Sequence, residues 1–119
     1  MGVAKDSAYR SMKRLWKHYA YQCRKRELLW MIPLDLFHKL TSQNCVYCDK
    51  PPMQIYRTHY KYNGLDRLDP KRGYEVDNVA PCCGECNGIK SNRLTFEETR
   101  AVAQALKRHR KHRAVSESD

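Results

Sequence analysis

Cysteine is the residue type of this sequence best suited to chemistry, and two pairs of cysteines share a two-residue gap. They are Cys45-x-x-Cys48 and Cys83-x-x-Cys86. Zinc takes four ligands in a tetrahedron, and a pair at this spacing can chelate it from a single turn. Because four thiolates would close the coordination shell, the spacing predicts a structural zinc ion that supports folding and leaves no open position for catalysis.

Two further cysteines need separate interpretations. Cys82 could replace Cys83 by pairing with Cys86 across a three-residue gap, an alternative that the spacing leaves open although the two-residue gap is commoner. Cys23 continues an apolar stripe, so we interpret it as a core thiol. An apolar run that could serve as a secretion signal is not evident near residue 1, so we do not expect a disulfide framework.

The net charge of +10 is concentrated in two arms. Residues 1–30 hold eight Lys and Arg against two acidic residues, and residues 100–113 hold six against none. A well-solvated surface would explain such charge, but its clustering favours a polyanionic partner, since each phosphate contact releases counterions. We predict that DNA, with RNA as the alternative, contacts these basic residues: Arg10, Lys13, Arg14, Lys17, Arg24, Lys25, Lys71, Arg72, Lys90, Lys107, Arg108 and Arg110.

The elements around the cysteines follow from apolar spacing and from turn residues. Ala8 to Cys23 has one apolar and one basic helical face, and Thr95 with Glu98 forms a capping box that opens a last helix. The other predicted elements are a strand over 27–32, a short helix begun by Pro33 in its first turn, a loop over 49–62, and a hairpin with strands 65–69 and 74–80.

These elements predict one domain over residues 1–113. It divides into a basic helix and strand (8–32), a zinc-bound core (33–93) and a C-terminal basic helix (94–113), followed by a disordered tail over 114–119. None of the sequence approaches the roughly 20 apolar residues of a membrane helix, so we expect an intracellular, cytoplasmic protein. A monomer and a homodimer are both compatible with these features.

The stretch between the cysteine pairs resembles a known family. It reads Gly64-Leu65-Asp66-Arg67-Leu68-Asp69, then Gly73-Tyr74, then Asp77-Asn78-Val79, and it ends in Cys82-Cys83-Gly84-Glu85-Cys86-Asn87-Gly88-Ile89-Lys90. This string resembles the HNH endonucleases, particularly a small phage-type branch. The resemblance covers roughly residues 8–98 and implies an α+β fold: a small zinc-stapled ββα-metal core with flanking basic helices, in a bacterial or phage-infected host.

The resemblance also implies the roles of individual residues. Asp66 and Asn87 would hold a catalytic Mg²⁺ or Mn²⁺, for which oxygen ligands are suited, and Asn78 would brace the loop between the strands. The implied reaction is hydrolysis of DNA phosphodiester bonds to 5′-phosphate and 3′-hydroxyl ends.

The sequence departs from the wider family at the residue after the strand aspartate. Arg67 stands where most members carry a histidine, and arginine cannot accept a proton near neutral pH. Arg67 could instead bind the phosphate. Three acceptors for the proton remain open: Tyr74, His59 and bulk solvent.

A non-catalytic interpretation accompanies the nuclease. In it Asp66 pairs with Arg72 in the hairpin, Asn78 is a turn residue and Asn87 caps a helix. The chain would then be an inactive zinc-stabilised HNH-fold module that binds DNA or RNA, for example in a ribonucleoprotein assembly.

Overall fold

The computed structural model describes the backbone of residues 3–117 and the side chains of residues 7–114. Within this range the strands form two separate antiparallel pairs, β1 with β2 and β3 with β4. The mixed α+β organisation is the one predicted. In chain order the elements are α1 (Val3–Lys25), α2 (Leu34–Thr41), β1 (Gln54–Tyr56), β2 (Tyr60–Tyr62), β3 (Gly64–Arg67), β4 (Val79–Cys82), α3 (Gly84–Lys90) and α4 (Phe96–Glu117).

Helix α1 packs its apolar stripe against the centre of the fold. Met12, Leu15 and Cys23 are buried, and the indole nitrogen of Trp16 donates a hydrogen bond of 2.7 Å to the carbonyl of Ile32. Cys23 is therefore a core thiol, as predicted, and burial raises its pKa. The basic side chains described on this helix, from Arg10 to Lys25, are exposed.

The segment between α1 and α2 is not the strand that we predicted. It makes one parallel bridge, Trp30 with Tyr74, and it starts at the turn that ends α1, where Glu27 takes a positive φ of 57°. Helix α2 begins after Pro33, whose extended ψ of 155° makes it the N-cap rather than a first-turn residue. Gly73 packs so closely here that a Cβ would lie 2.6 Å from the carbonyl oxygen of Leu29.

The predicted loop over 49–62 is wrong in its second half, which forms the β1–β2 hairpin. Its register pairs Gln54 with Tyr62 and Tyr56 with Tyr60. The turn that joins the strands contains no Gly, Asn, Asp or Pro. Arg57 and Thr58 instead take the left-handed backbone conformation in this turn. The usual turn signals were therefore missing from the sequence.

The predicted hairpin between the cysteine pairs is present as β3 and β4, with shifted bounds. Asp66 pairs with Ala80 and Arg67 with Val79. The second strand begins at Val79 rather than at residue 74, so Tyr74 lies in the long connecting loop and not at a strand start. The loop keeps its shape through side-chain hydrogen bonds, described below, instead of a strand ladder.

The two C-terminal helices enclose the second cysteine pair. Cys83 is the N-cap of α3, and the predicted capping box before α4 is confirmed: Thr95 N donates to Glu98 Oε1 at 2.9 Å, and Glu98 N donates to Thr95 Oγ1 at 3.1 Å. Helix α4 runs to Glu117, so the disordered tail predicted from residue 114 is wrong as far as 117. Residues 118 and 119 of that tail lie outside the described residues. None of the described helices combines the length and apolar character that crossing a membrane requires.

Candidate functional site

Four cysteine thiols converge beside the β3–β4 hairpin. The sulfurs of Cys45, Cys48, Cys83 and Cys86 all lie within 4.8 Å of one another, and Cys48 Sγ is 3.7 Å from Cys83 Sγ. A tetrahedral zinc ion with Zn–S bonds of about 2.3 Å holds its sulfurs about 3.8 Å apart. The cluster therefore has the dimensions and the donor type for zinc, as the spacing predicted.

The alternative ligand Cys82 lies outside this cluster. As the last residue of β4 it is buried, and its thiol donates to the carbonyl of Cys83 at 3.4 Å. Cys82 ends β4, whereas Cys83 is the N-cap of α3, so the two neighbouring thiols belong to different elements. The structure thus favours the Cys83–Cys86 pair.

A polar cleft opens next to the cysteine cluster. Its cavity volume is about 370 Å³, and Asp66, Arg67, Tyr74 and Asn87 all line it. Asp66 and Arg67 come from β3, Tyr74 from the long loop, and Asn87 from α3. The structure therefore brings together four residues that the sequence spreads over more than twenty positions.

Asp66 is the buried carboxylate of this group and has two polar partners. The hydroxyl of Tyr47 donates to its Oδ2 at 2.5 Å, and Lys90 Nζ lies 3.2 Å from Oδ2 and 3.3 Å from Oδ1. Lys90 also donates to the carbonyl of Arg67 at 2.7 Å. Burial and then the bond to Asp66 raise the pKa of Tyr47, so the phenol stays protonated as a donor. A buried carboxylate needs such partners to remain charged.

Arg67 and Tyr74 lie against each other in the cleft wall. The guanidinium carbon of Arg67 is 5.6 Å from the centre of the Tyr74 ring. One terminal nitrogen, Nη1, donates to the carbonyls of Pro70 at 2.8 Å and Arg72 at 2.9 Å, which fixes the side chain to the loop. Burial raises the pKa of Tyr74, and the positive charges of Arg67 and Arg26 offset only part of that effect.

Asn78 holds the long loop from inside. Its Nδ2 donates to the carbonyls of Asp69 at 3.1 Å and Gly73 at 2.9 Å, and its Oδ1 accepts from Asp69 N at 2.9 Å. The side chain is only 1% exposed. These contacts connect both halves of the loop to one buried side chain.

The fold of this chain is similar to that of a solved structure. The chain superposes on the rare-cutting HNH restriction endonuclease PacI with a TM-score of 0.70, covering 87% of this chain and 81% of that one at 22% identity. The fold is that of an HNH endonuclease. The implied ββα arrangement is therefore present: β3 and β4 are the two strands and α3 is the helix.

The sequence match covers less of the chain than the structural superposition does. The chain is 40% identical over 63 residues to an uncharacterised protein, R423, of Acanthamoeba polyphaga mimivirus, a match to 51% of this chain. It spans 10% of the length of that relative. No family model matches the chain.

The HNH cleft fits a hard divalent cation in its donor chemistry. Asp66 and Asn87 both offer oxygen atoms to the same cavity, and Asn87 is exposed there. The ammonium of Lys90 lies against the same carboxylate and would share Asp66 with any bound cation. The residues thus suit Mg²⁺ or Mn²⁺, although Lys90 opposes its charge.

Three residues have positions or partners that differ from those the sequence indicated. His59 is at the β1–β2 turn and lines a different groove with α1, so its position gives it no access to the cleft. Lys90 was predicted to contact nucleic acid from the surface, but its side chain is 3% exposed and is paired with Asp66. Arg72, the alternative partner of Asp66, instead pairs with Glu75 and Asp77.

Tyr47 is the contact that sequence reasoning missed. It lies between the cysteines of the first pair and is completely buried, with its hydroxyl on Asp66. The available signal was weak: a tyrosine inside a zinc-binding turn is expected to be buried, and a buried tyrosine hydroxyl usually finds a partner.

The predicted nucleic-acid contacts fall into two classes. On the C-terminal side several cations are already paired: both terminal nitrogens of Arg110 donate to Glu85 at 2.9 and 2.8 Å, and Lys107 lies 3.6 Å from Asp49. On α1 the six predicted basic residues are exposed, and the ion pairs found among the described side chains include none of them. The first arm therefore presents the more available positive charge.

Proposed function

We propose that this protein is a metal-dependent endonuclease that hydrolyses phosphodiester bonds of DNA to 5′-phosphate and 3′-hydroxyl ends. The observation that carries the proposal is the single cleft, in an HNH fold, that is lined by Asp66, Arg67, Tyr74 and Asn87. The similarity to a DNA-cutting restriction enzyme and the exposed cations of α1 support DNA as the substrate. We infer an intracellular site of action, because DNA substrates are there.

Zinc has a structural role in this proposal. The four thiols would fill its coordination sphere and join the first cysteine turn to the start of α3. Since Tyr47 lies inside that turn, the zinc site also positions the hydroxyl that bonds to Asp66. Metal binding would therefore stabilise the fold and the cleft together.

Within the cleft, Asp66 and Asn87 would hold Mg²⁺ or Mn²⁺, which when bound supplies positive charge to stabilise the charge that develops on the phosphate. Arg67 would donate to a phosphate oxygen from the guanidinium nitrogens that do not bond to the loop. Tyr74, which lies beside Arg67, would accept the proton as a phenolate, and bulk solvent is the alternative acceptor.

A second function is favoured by one specific contact. The ion pair between Lys90 and Asp66 already neutralises the carboxylate without a metal. In an inactive module that binds DNA or RNA, this pair would be a structural replacement for the cation, and Arg67 in the usual histidine position would be one of its phosphate contacts.

A plasmid assay distinguishes the two functions. Zinc-loaded protein is incubated with supercoiled plasmid in Mg²⁺, in Mn²⁺ or without added divalent cation, together with the Asp66→Asn and Asn87→Ala variants. Asn44→Ala, an exposed asparagine outside the cleft, is the matched control. The nuclease predicts cation-dependent nicking or linearisation that both cleft variants abolish and the control retains.

Intact plasmid under every condition, with protein that still retards DNA on a gel, would instead support the binding module. Circular dichroism and zinc content of each variant show whether a lost activity reflects a lost fold. Asn87→Ala is the more informative variant here because its side chain is exposed and its removal leaves the core intact.

A further inference from the structure

A second groove, between α1 and the β1–β2 turn, has an unusually uniform lining. Its cavity volume is about 250 Å³, and its charged or titratable lining residues are Arg10, Arg14, Arg57 and His59. Ser7 and Ser11 complete it with hydroxyl groups. We call it the α1–turn groove. It shares no lining residue with the cleft that contains Asp66.

The α1–turn groove concentrates positive charge without a counter-charge among its lining residues. Three arginines face one cavity, and in the described part of the chain the ion pairs leave all three out. Arg10 and Arg14 are one helical turn apart, about 6 Å along the axis. Guanidinium groups at such separations repel one another, and an anion with several oxygens would remove that repulsion.

The turn that carries Arg57 is conformationally strained. His59 N donates to Tyr56 O at 3.2 Å, and the two residues between them have φ values of 51° and 63°. This turn requires left-handed backbone at both central positions, for which Asn-Gly is the favoured pair. Arg57 and the β-branched Thr58 fill them at a conformational cost.

Strained backbone of this kind concentrates at functional positions. Here its effect is to place Arg57 and His59 opposite the exposed face of α1. An Asn-Gly turn would close the same hairpin more easily but would remove the cation. Arg57 therefore contributes positive charge to the groove, while the backbone conformation of its turn is unfavourable for the hairpin.

We propose that the α1–turn groove binds phosphates of a DNA strand at a position separate from the cleavage cleft. Arg10, Arg14 and Arg57 donate to phosphate oxygens, and His59 adds a further donor. The inference rests on the proposed function in taking DNA as the partner. It gives His59 a role in holding the substrate rather than in accepting a proton.

The Arg57→Asn/Thr58→Gly double variant tests this directly, because the strain and the charge predict opposite effects. Relief of the strained turn should raise the melting temperature by about 3 to 8 °C. Loss of one phosphate contact should lower the slope of log affinity against log salt by about 0.9 and weaken binding about fivefold to tenfold at 0.1 M salt. Fluorescence anisotropy of a labelled duplex, with zinc-loaded protein and no added Mg²⁺ or Mn²⁺, measures the affinity and its dependence on salt.

The matched control is Lys61→Asn, which removes one charge from an exposed residue of the same hairpin outside the groove lining. It should leave the affinity within about twofold of wild type. Arg14→Gln, on the α1 side of the groove, should reproduce the loss of affinity, and it keeps the test intact if the turn variant does not fold.

Several outcomes separate the groove from the proposed function. Wild-type affinity in both the turn variant and Arg14→Gln overturns the groove proposal. Equal losses in Lys61→Asn overturn it as well, since they would reflect net charge alone. A loss confined to an RNA duplex of the same sequence overturns the assignment to DNA. Failure of the wild-type protein to bind any duplex would refute the proposed function itself.

Discussion

The ammonium of Lys90 lies 3.2 Å from Oδ2 of Asp66, and the two side chains are only 3% and 8% exposed. Helix α3 thus brings a cation to the one buried carboxylate of the cleft. Attraction across a buried pair repays its desolvation only when the remaining hydrogen bonds are satisfied. Tyr47 and the carbonyl of Arg67 satisfy them here.

Replacing Lys90 by Met should therefore lower the free energy of unfolding by about 3 to 5 kcal/mol, because it leaves the Asp66 carboxylate buried without its charge partner. Urea denaturation of the zinc-loaded protein measures the change. The Asp66→Asn/Lys90→Met double variant should recover most of the loss. Lys61→Met, at an exposed lysine, is the control, and a cost for Lys90→Met below about 1 kcal/mol would identify the pair as no stronger than a surface ion pair.

Cys82 and Cys83 are adjacent, so making the same change to serine at each position in turn tests which of the two binds zinc. Cys83→Ser should lose tight zinc binding and with it much of the helical circular dichroism, because a thiolate ligand is removed. Cys82→Ser should keep a single zinc ion per chain and lose about 1 to 2 kcal/mol of stability from a buried hydroxyl. Zinc release measured with a chromogenic chelator reports on both, and equal zinc loss in the two variants would contradict the ligand assignment.

Asn78 should be important for the loop rather than for the core. Asn78→Ala removes three hydrogen bonds to Asp69 and Gly73, which should cost about 2 to 4 kcal/mol and leave the backbone N–H of Asp69 without its acceptor. Hydrogen exchange should then become faster across residues 68–77 while the amides of α1 stay protected. Uniformly faster exchange in both regions would show that Asn78 supports the whole fold instead.

Local spacing made part of this molecule predictable. The cysteine pairs, the face of α1 and the capping box before α4 each depend on residues within a few positions of one another, and all three are confirmed. The bond between Tyr47 and Asp66 joins residues 19 apart in different elements, and the Lys90 contact spans 24. Pairs at such separations have no local pattern, so the structure was needed to find them.

The β1–β2 hairpin was not predicted from the sequence, for a different physical reason. Its strands are three residues long, and its turn uses Arg57 and Thr58 where glycine or asparagine would be expected. Prediction from turn chemistry assumes that the backbone takes its easiest conformation. It therefore misses strained turns, and with this turn it missed the groove that the hairpin forms with α1.

Tyr74 gives the last prediction, on the pH dependence of cleavage. Burial raises its pKa above the ordinary value of about 10. If Tyr74 accepts the proton as a phenolate, single-turnover cleavage should rise about tenfold per pH unit from pH 7 and not level off by pH 10, since the reactive form grows until the raised pKa is passed. Tyr74→Phe should then lower the rate and flatten this profile. Tyr62→Phe is the control, because burial raises the pKa of Tyr62 too but its side chain lies outside the cleft. An unchanged profile in Tyr74→Phe would assign the proton to solvent and leave Tyr74 a packing role against Trp30 and Arg67.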